Sequence, residues 1–206
     1  MVGATVTISA GLTTGDVLGF TDQNGITGSY NSSTGVLTLS GSATKANYVT
    51  ALKSVTYAST SDTPTATSSS RTISWVVDDG APSLNTSTAV TSTINITAVN
   101  DAPTLTSFAS VVGTTLEDTQ TTISFSDLTA QGNEADVDGT VTAFEVQAVS
   151  SGTLLIGTSL GTATAFNAST NKTIDSTHYA YWTPGANDNG AAVSAFTVKA
   201  KDDTGA

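Results

Sequence analysis

Apolar and polar residues alternate through most of this chain. In Ala4–Ser9, "ATVTIS", Ala, Val and Ile occupy every second position between Thr and Ser. A period of two puts one side chain set on each face of a strand, so one face is buried and the other solvated. The same reading predicts strands at Val17–Phe20, Ile26–Tyr30, Val36–Ser40, Val55–Ala58, Thr72–Val77 and Val90–Ala98. In the second half it predicts Thr121–Phe125, Val141–Val149, Thr153–Ile156, Thr162–Phe166, Thr173–Trp182 and Ala195–Ala200. Gly, Asn, Asp and Ser punctuate these runs as turn formers. One segment departs from the pattern. In "SATKANYVTALKSV", Tyr48, Leu52 and Val55 fall at i, i+4 and i+7, with Ser42 placed to cap. That spacing predicts a short helix. Many short strands without helical crossovers predict an all-β fold of antiparallel sandwiches.

The chain reads as two copies of one unit. "VTIS" at Val6–Ser9 recurs as "TTIS" at Thr121–Ser124, and "GDVLGF" at Gly15–Phe20 as "GTVTAF" at Gly139–Phe144. "VVDDGA" at Val76–Ala81 recurs loosely as "AKDDTGA" at Ala200–Ala206. These matches place tandem β-sandwich domains at residues 1–99 and 100–206, rather than a short-period solenoid. On this alignment the first domain lacks its first strand and the second lacks its last. The expectation is a piece of a longer array, with uncovered sheet edges that invite weak edge-strand self-association.

Charge narrows the partners. Asp and Glu outnumber Lys and Arg 17 to 6, for a net charge of −11. An acidic surface repels nucleic acid and anionic lipid and suits hard cations. There is no cysteine, so disulfides and thiolate metal sites are excluded. No run reaches the apolar length of a membrane span, and no signal-peptide pattern is visible.

The acids fall at turns between the strands, and strand parity sorts those turns by end. If the last strand of each domain runs down, the loops at one end of the second domain carry Glu134, Asp136, Asp138, Asp202 and Asp203. The bottom of the first domain carries Asp62, and the joint supplies Asn100 and Asp101. Clustered carboxylates repel one another, and a divalent cation offsets that. Ca²⁺ takes 6–8 oxygen ligands of the kind that Asp side chains and loop carbonyls supply. With no Cys and with His178 alone, zinc is a poor fit. Asp78 and Asp79, and Glu117 and Asp118, are placed by the same parity for neighbouring junctions.

"VNDAP" at Val99–Pro103, "EDT" at Glu117–Thr119, "NEADVDG" at Asn133–Gly139 and "DDTGA" at Asp202–Ala206 resemble the bacterial cadherin-like, Ig-like tandem repeats of large surface adhesins. "YWTPGANDNG" at Tyr181–Gly190 is similar to the Pro-to-Gly turn of such repeats, and Gly25–Asp62 also resembles them. The resemblance implies an extracellular location on the bacterial cell surface or outer membrane, and a role in adhesion and biofilm as a calcium-stiffened spacer or cell-adhesion module. Its implied partners are neighbouring repeats and a cell-surface protein or polysaccharide. Carried over by position, its calcium pattern falls on Asp62, Asn100, Asp101, Asp136, Asp138 and Asp202. The first domain departs from the pattern: "GLTTGD" offers only Asp16.

Enzymatic chemistry finds no support in the pattern. His178 and Asp175 sit in the strand-like run "DSTHYAYW", but no Ser or Thr is marked out as a nucleophile for them. The alternative function is carbohydrate binding. Tyr179 and Tyr181 share one predicted strand face, with Trp182 opposite, and an exposed row of that kind would stack on sugar rings. Trp75, midway along an alternating strand, reads as core.

Overall fold

The computed structural model describes residues 1–190 and 192–203. Thr204–Ala206 of the "DDTGA" motif therefore lie outside the described residues. The fold is all-β with antiparallel sheets, in two compact units, Met1–Val99 and Asn100–Ala206.

The first unit contains β1 (Gly3–Ala10), β2 (Asp16–Gly19), β3 (Thr27–Asn31), β4 (Val36–Ser40), α1 (Lys45–Lys53), β5 (Thr56–Ser59), β6 (Ser70–Asp78) and β7 (Val90–Asn95). One sheet has the order β3-β4-β1-β6-β7, and β2 pairs β5 in the other. The alternation read from the sequence decides the burial. Ala4, Val6 and Ile8 of β1 face inward with Leu37 and Leu39 of β4, and they meet Leu18 and Ile73 in one core. The helix forms where its spacing predicts, but its cap is Thr44 rather than Ser42. The Thr44 hydroxyl accepts the Asn47 N–H at 3.2 Å. Ser42 lies too early in the chain to reach the first free N–H groups. Tyr48 and Ala51 are fully buried on the inner face, and the Tyr48 hydroxyl donates to the Gly41 carbonyl at 2.7 Å.

The second unit contains β8 (Thr121–Ile123), α2 (Phe125–Thr129), β9 (Val141–Val149), β10 (Thr153–Gly157), β11 (Thr164–Ala165), β12 (Thr173–Asp175), β13 (Tyr179–Thr183) and β14 (Phe196–Asp202). Its sheets have the orders β11-β10-β13-β8 and β12-β9-β14. The core between them holds Ile123, Phe144, Val146, Leu154, Ile156, Ile174 and Trp182. Four predicted strands are shorter than expected: Val90–Ala98 ends at Asn95, Thr162–Phe166 keeps only Thr164–Ala165, and two others are cut by local turns. The run from Thr121 stops at Ile123 because Ser124 and Asp127 form a capping box that starts α2. The run Thr173–Trp182 is broken after Asp175, whose carboxylate accepts the N–H groups of Thr177 and His178 and turns the chain.

Sheet pairing corrects the repeat alignment. β6 ends at Asp78 and pairs with β1; β14 ends at Asp202 and pairs with β9. β4 lies on the other edge of β1 as β12 lies on the other edge of β9. β1 is thus the counterpart of β9. It is not the counterpart of β8, which pairs with β13 in the opposite sheet. The short "TIS" match between Val6 and Thr121 misled because three alternating residues carry no information about which partner strand they meet.

Candidate functional site

Six of the sequence-predicted residues gather at one end of the second unit. The Asn100 amide donates to Asp202 Oδ2 at 2.5 Å and to the Asp101 carbonyl at 3.1 Å. The Asp101 N–H donates to both Asp138 carboxylate oxygens at 3.3 Å. Asp136 Oδ1 accepts from the Asp138 N–H at 3.2 Å and the Gly139 N–H at 2.9 Å. Asp203 lies alongside: a Cβ on residue 139 would stand 3.0 Å from Asp136 Oδ2 and 3.4 Å from Asp203 Oδ1. Gly139 thereby leaves open the space between those two carboxylates.

Local structure explains the gathering. The stretch from Thr104 runs antiparallel to the segment ending at Ala135. The Thr104 N–H donates to the Ala135 carbonyl at 2.8 Å, and the Ala135 N–H donates back at 3.0 Å. The Asn133 side-chain carbonyl accepts the N–H groups of Thr106 and Ser107, which locks this pairing. With the two segments held so, Asn100 and Asp101 must lie beside the "DVDG" turn. Asp202 arrives from the end of β14, opposite Val141.

The electrostatics of the cluster are unbalanced. Loss of solvent pushes the Asp138 carboxyl up, the Asp101 N–H acts against that, and the Asp136 and Asp101 carboxylates push it further up; the net displacement is above its ordinary value. Asp136 Oδ2 and Glu134 Oε2 are buried without a hydrogen-bond partner. Glu134 folds its carboxylate over Gly132, where any Cβ would collide with it. Among the described residues, no group of three or more His, Cys, Asp or Glu side chains is already arranged to hold a metal ion. The donor chemistry nevertheless fits a hard cation: every member offers oxygen, and Asp136 Oδ2 lacks the partner that burial demands.

Asp78, Asp79, Glu117 and Asp118 lie at turns within their own units. Asp62 is an exposed loop residue of the first unit, between β5 and β6. Asp78 accepts the Gly80 N–H and the Asn85 amide, and Asp79 accepts the Ala81 N–H; these carboxylates shape the turn after β6. Glu117 and Asp118 form a turn in which Asp118 has φ of 55°. The carbohydrate reading is corrected by burial. Trp182 is 6% exposed and belongs to the core, its indole N–H donating to the Ser151 carbonyl at 2.8 Å. Tyr181 is 7% exposed, and only Tyr179 is half-buried. This trio presents no open aromatic row.

Asp16 also has a different office. It is buried with Arg71, whose Nε–H donates to its Oδ2 at 2.6 Å, while the Tyr57 hydroxyl donates to its Oδ1 at 2.7 Å. A second ionic centre escaped the sequence reading: Lys172, Lys199 and Lys201 surround Glu145 at 2.8, 3.4 and 3.6 Å. Its signal was the alternation of Lys199 and Lys201 on one strand face, but the register that brings them to Glu145 is tertiary.

His178 Nδ1 lies 3.1 Å from Asp175 Oδ1. Burial pushes the Asp175 carboxyl up. The Thr177 N–H and hydroxyl and the His178 ring and N–H outweigh it, and the carboxyl is held at about 2. That arrangement is a hydrogen-bonded turn.

Comparison with known proteins gives one relative of note. The chain is 38% identical over 122 residues, 55% of its length, to Halomucin of Haloquadratum walsbyi, and the match spans 1% of that protein. No family model matches the chain. No solved structure matches it.

Proposed function

We propose that this chain is a calcium-binding, extracellular repeat segment that acts as a stiffened spacer or adhesion module. The observation that carries the reading is the buried, unpartnered Asp136 Oδ2, in an end of the second unit that also gathers Asn100, Asp101, Asp138, Asp202 and Asp203. Leaving a buried carboxylate oxygen unpaired is costly, and a bound cation relieves both that cost and the repulsion among neighbours. Asp101, Asp136, Asp138 and Asp203 would hold the ion, with Asn100 positioning Asp202. The likeness to a stretch of a very large protein named Halomucin supports a surface-associated setting. So does the acidic composition, which keeps a long chain soluble.

Isothermal calorimetry of the whole chain with Ca²⁺ tests the reading. Saturable binding that the Asp136→Asn, Asp138→Asn double variant abolishes is expected. No heat at millimolar Ca²⁺ ends it.

A further inference from the structure

Among the described residues the second unit has an open side. β8 is one edge strand of the first of its sheets and β14 one edge strand of the second, and residues of both line a groove of about 800 Å³. Its lining includes the buried Ile123, Leu128 and Trp182, Phe196 and Val198 of β14, and Val111 and Leu116 of the loop before β8. Val111, Leu116 and Val193 are 53%, 77% and 37% exposed, so apolar surface continues out to the rim. Among the described residues β14 has β9 as its one strand neighbour.

The first unit shows what belongs there. Its β6 is the counterpart of β14, because each ends in the Asp-Asp pair and each is held on one side by a counterpart strand, β1 or β9. The other side of β6 carries β7, paired from Trp75↔Val90 to Ser70↔Asn95. β7 and the residues after it read "VTSTINITAV", uncharged, with Val90, Ile94 and Ile96 spaced between hydroxyl and amide residues. Ile94 packs against the first core. A sheet edge offers a row of N–H and C=O groups that only another backbone matches along its length, with pockets for alternate side chains. Here the lining is more apolar than polar, and its charged residues, Glu117 and Asp188, are both acids, which disfavour an acidic strand and leave an uncharged one unopposed.

We propose that this groove is a strand acceptor: it takes an extended, uncharged peptide segment of the β7 pattern along Phe196–Val198, on the side of β14 away from β9. The recognition is by backbone pairing plus burial of alternate Val and Ile side chains in the groove lined by Ile123 and Trp182. It is independent of any cation at the other site.

The test uses the whole chain and a synthetic peptide of sequence Thr88–Val99, followed by amide NMR titration. Saturable shifts are expected at Phe196, Val198, Val193 and Leu116, and none with a scrambled peptide. Leu116→Asp and Val193→Asp alter exposed side chains, so the fold should keep its melting temperature while peptide affinity falls about tenfold or more. Three results overturn the proposal. One is no binding at millimolar peptide. Another is shifts confined to β6 and β7, which mean strand exchange in the first unit. The third is a concentration-dependent dimer that alone perturbs the groove residues and excludes the peptide.

Discussion

Arg71 and Asp16 lie 55 residues apart in sequence and meet inside the first unit with both side chains shut off from water. The Arg71 guanidinium also donates to the carbonyls of Ser68 and Pro64, at 2.8 and 2.7 Å. Thr13 N–H and the Tyr57 hydroxyl complete the shell of Asp16. The loop before β2 and the loop before β6 are therefore tied by one ion pair. Burial pushes the Asp16 carboxyl up, but the donors, Arg71 foremost, outweigh it and hold the carboxyl below its ordinary 3.8.

Breaking this pair is expected to cost about 3–5 kcal/mol, because the surviving partner is left as an uncompensated buried charge. Arg71→Ala and Asp16→Ala should each lower the urea midpoint strongly, and the double variant should lose less than the sum. Additive losses in that cycle would show that the two side chains act independently.

Asp175 sets an acid limit for the second unit. Its folded value of about 2 lies below the ordinary 3.8. Its stabilising contribution is thus fully present above about 3.8 and is lost as pH falls through about 2. Thr177→Val removes the hydroxyl donor at 2.8 Å and should raise the Asp175 midpoint seen by carboxyl-carbon NMR. A midpoint near 3.8 in the unaltered chain contradicts the hydrogen-bonded turn.

Glu145 gathers three of the chain's six Lys and Arg residues on one sheet face. Glu145→Ala would leave Lys172, Lys199 and Lys201 facing one another, and the melting temperature should fall. Lys199 is the most exposed of the three, so Lys199→Ala should change stability by less than about 1 kcal/mol, as exposed pairs do. Equal losses from the two variants would place the effect in packing rather than charge.

Cation binding at the Asn100–Asp202 end should appear as thermal stabilisation. At a Ca²⁺ concentration 100 times the dissociation constant, the folded state gains about 2.7 kcal/mol. Asn100→Ala removes the tether to Asp202 and should weaken the response without abolishing it, whereas Asp138→Asn should remove most of it. Scanning calorimetry with and without chelator reads both. A melting temperature blind to chelator in the unaltered chain refutes the site.

The sequence alone determined the fold class, most strands and helix α1, because alternation and helical spacing are local and each residue's neighbours along the chain carry them. β4 and β9 match the predicted ranges residue for residue, Val36–Ser40 and Val141–Val149. Strand direction sorts loops by parity, so the sequence also put Asn100, Asp101, Glu134, Asp136, Asp138, Asp202 and Asp203 at one junction with Asp62; hydrogen bonds and close approaches in the second unit join the six other than Asp62 and Glu134, whose carboxylate lies over Gly132. The sequence did not determine which strand meets which. Period-two patterns are interchangeable, and β1 was matched to β8 until pairing with the strand ending at Asp78 joined it to β9. Nor did it separate a ligand from a structural acid. Asp16, Asp78 and Asp136 are all Asp beside Gly-containing turns. Only the tertiary structure gives the first an arginine, the second its turn donors and an amide, and leaves one oxygen of the third without a partner. The physical reason is range. Strand and turn preferences act over a few residues, whereas burial and ion pairing are fixed by segments that meet only when the sheets close.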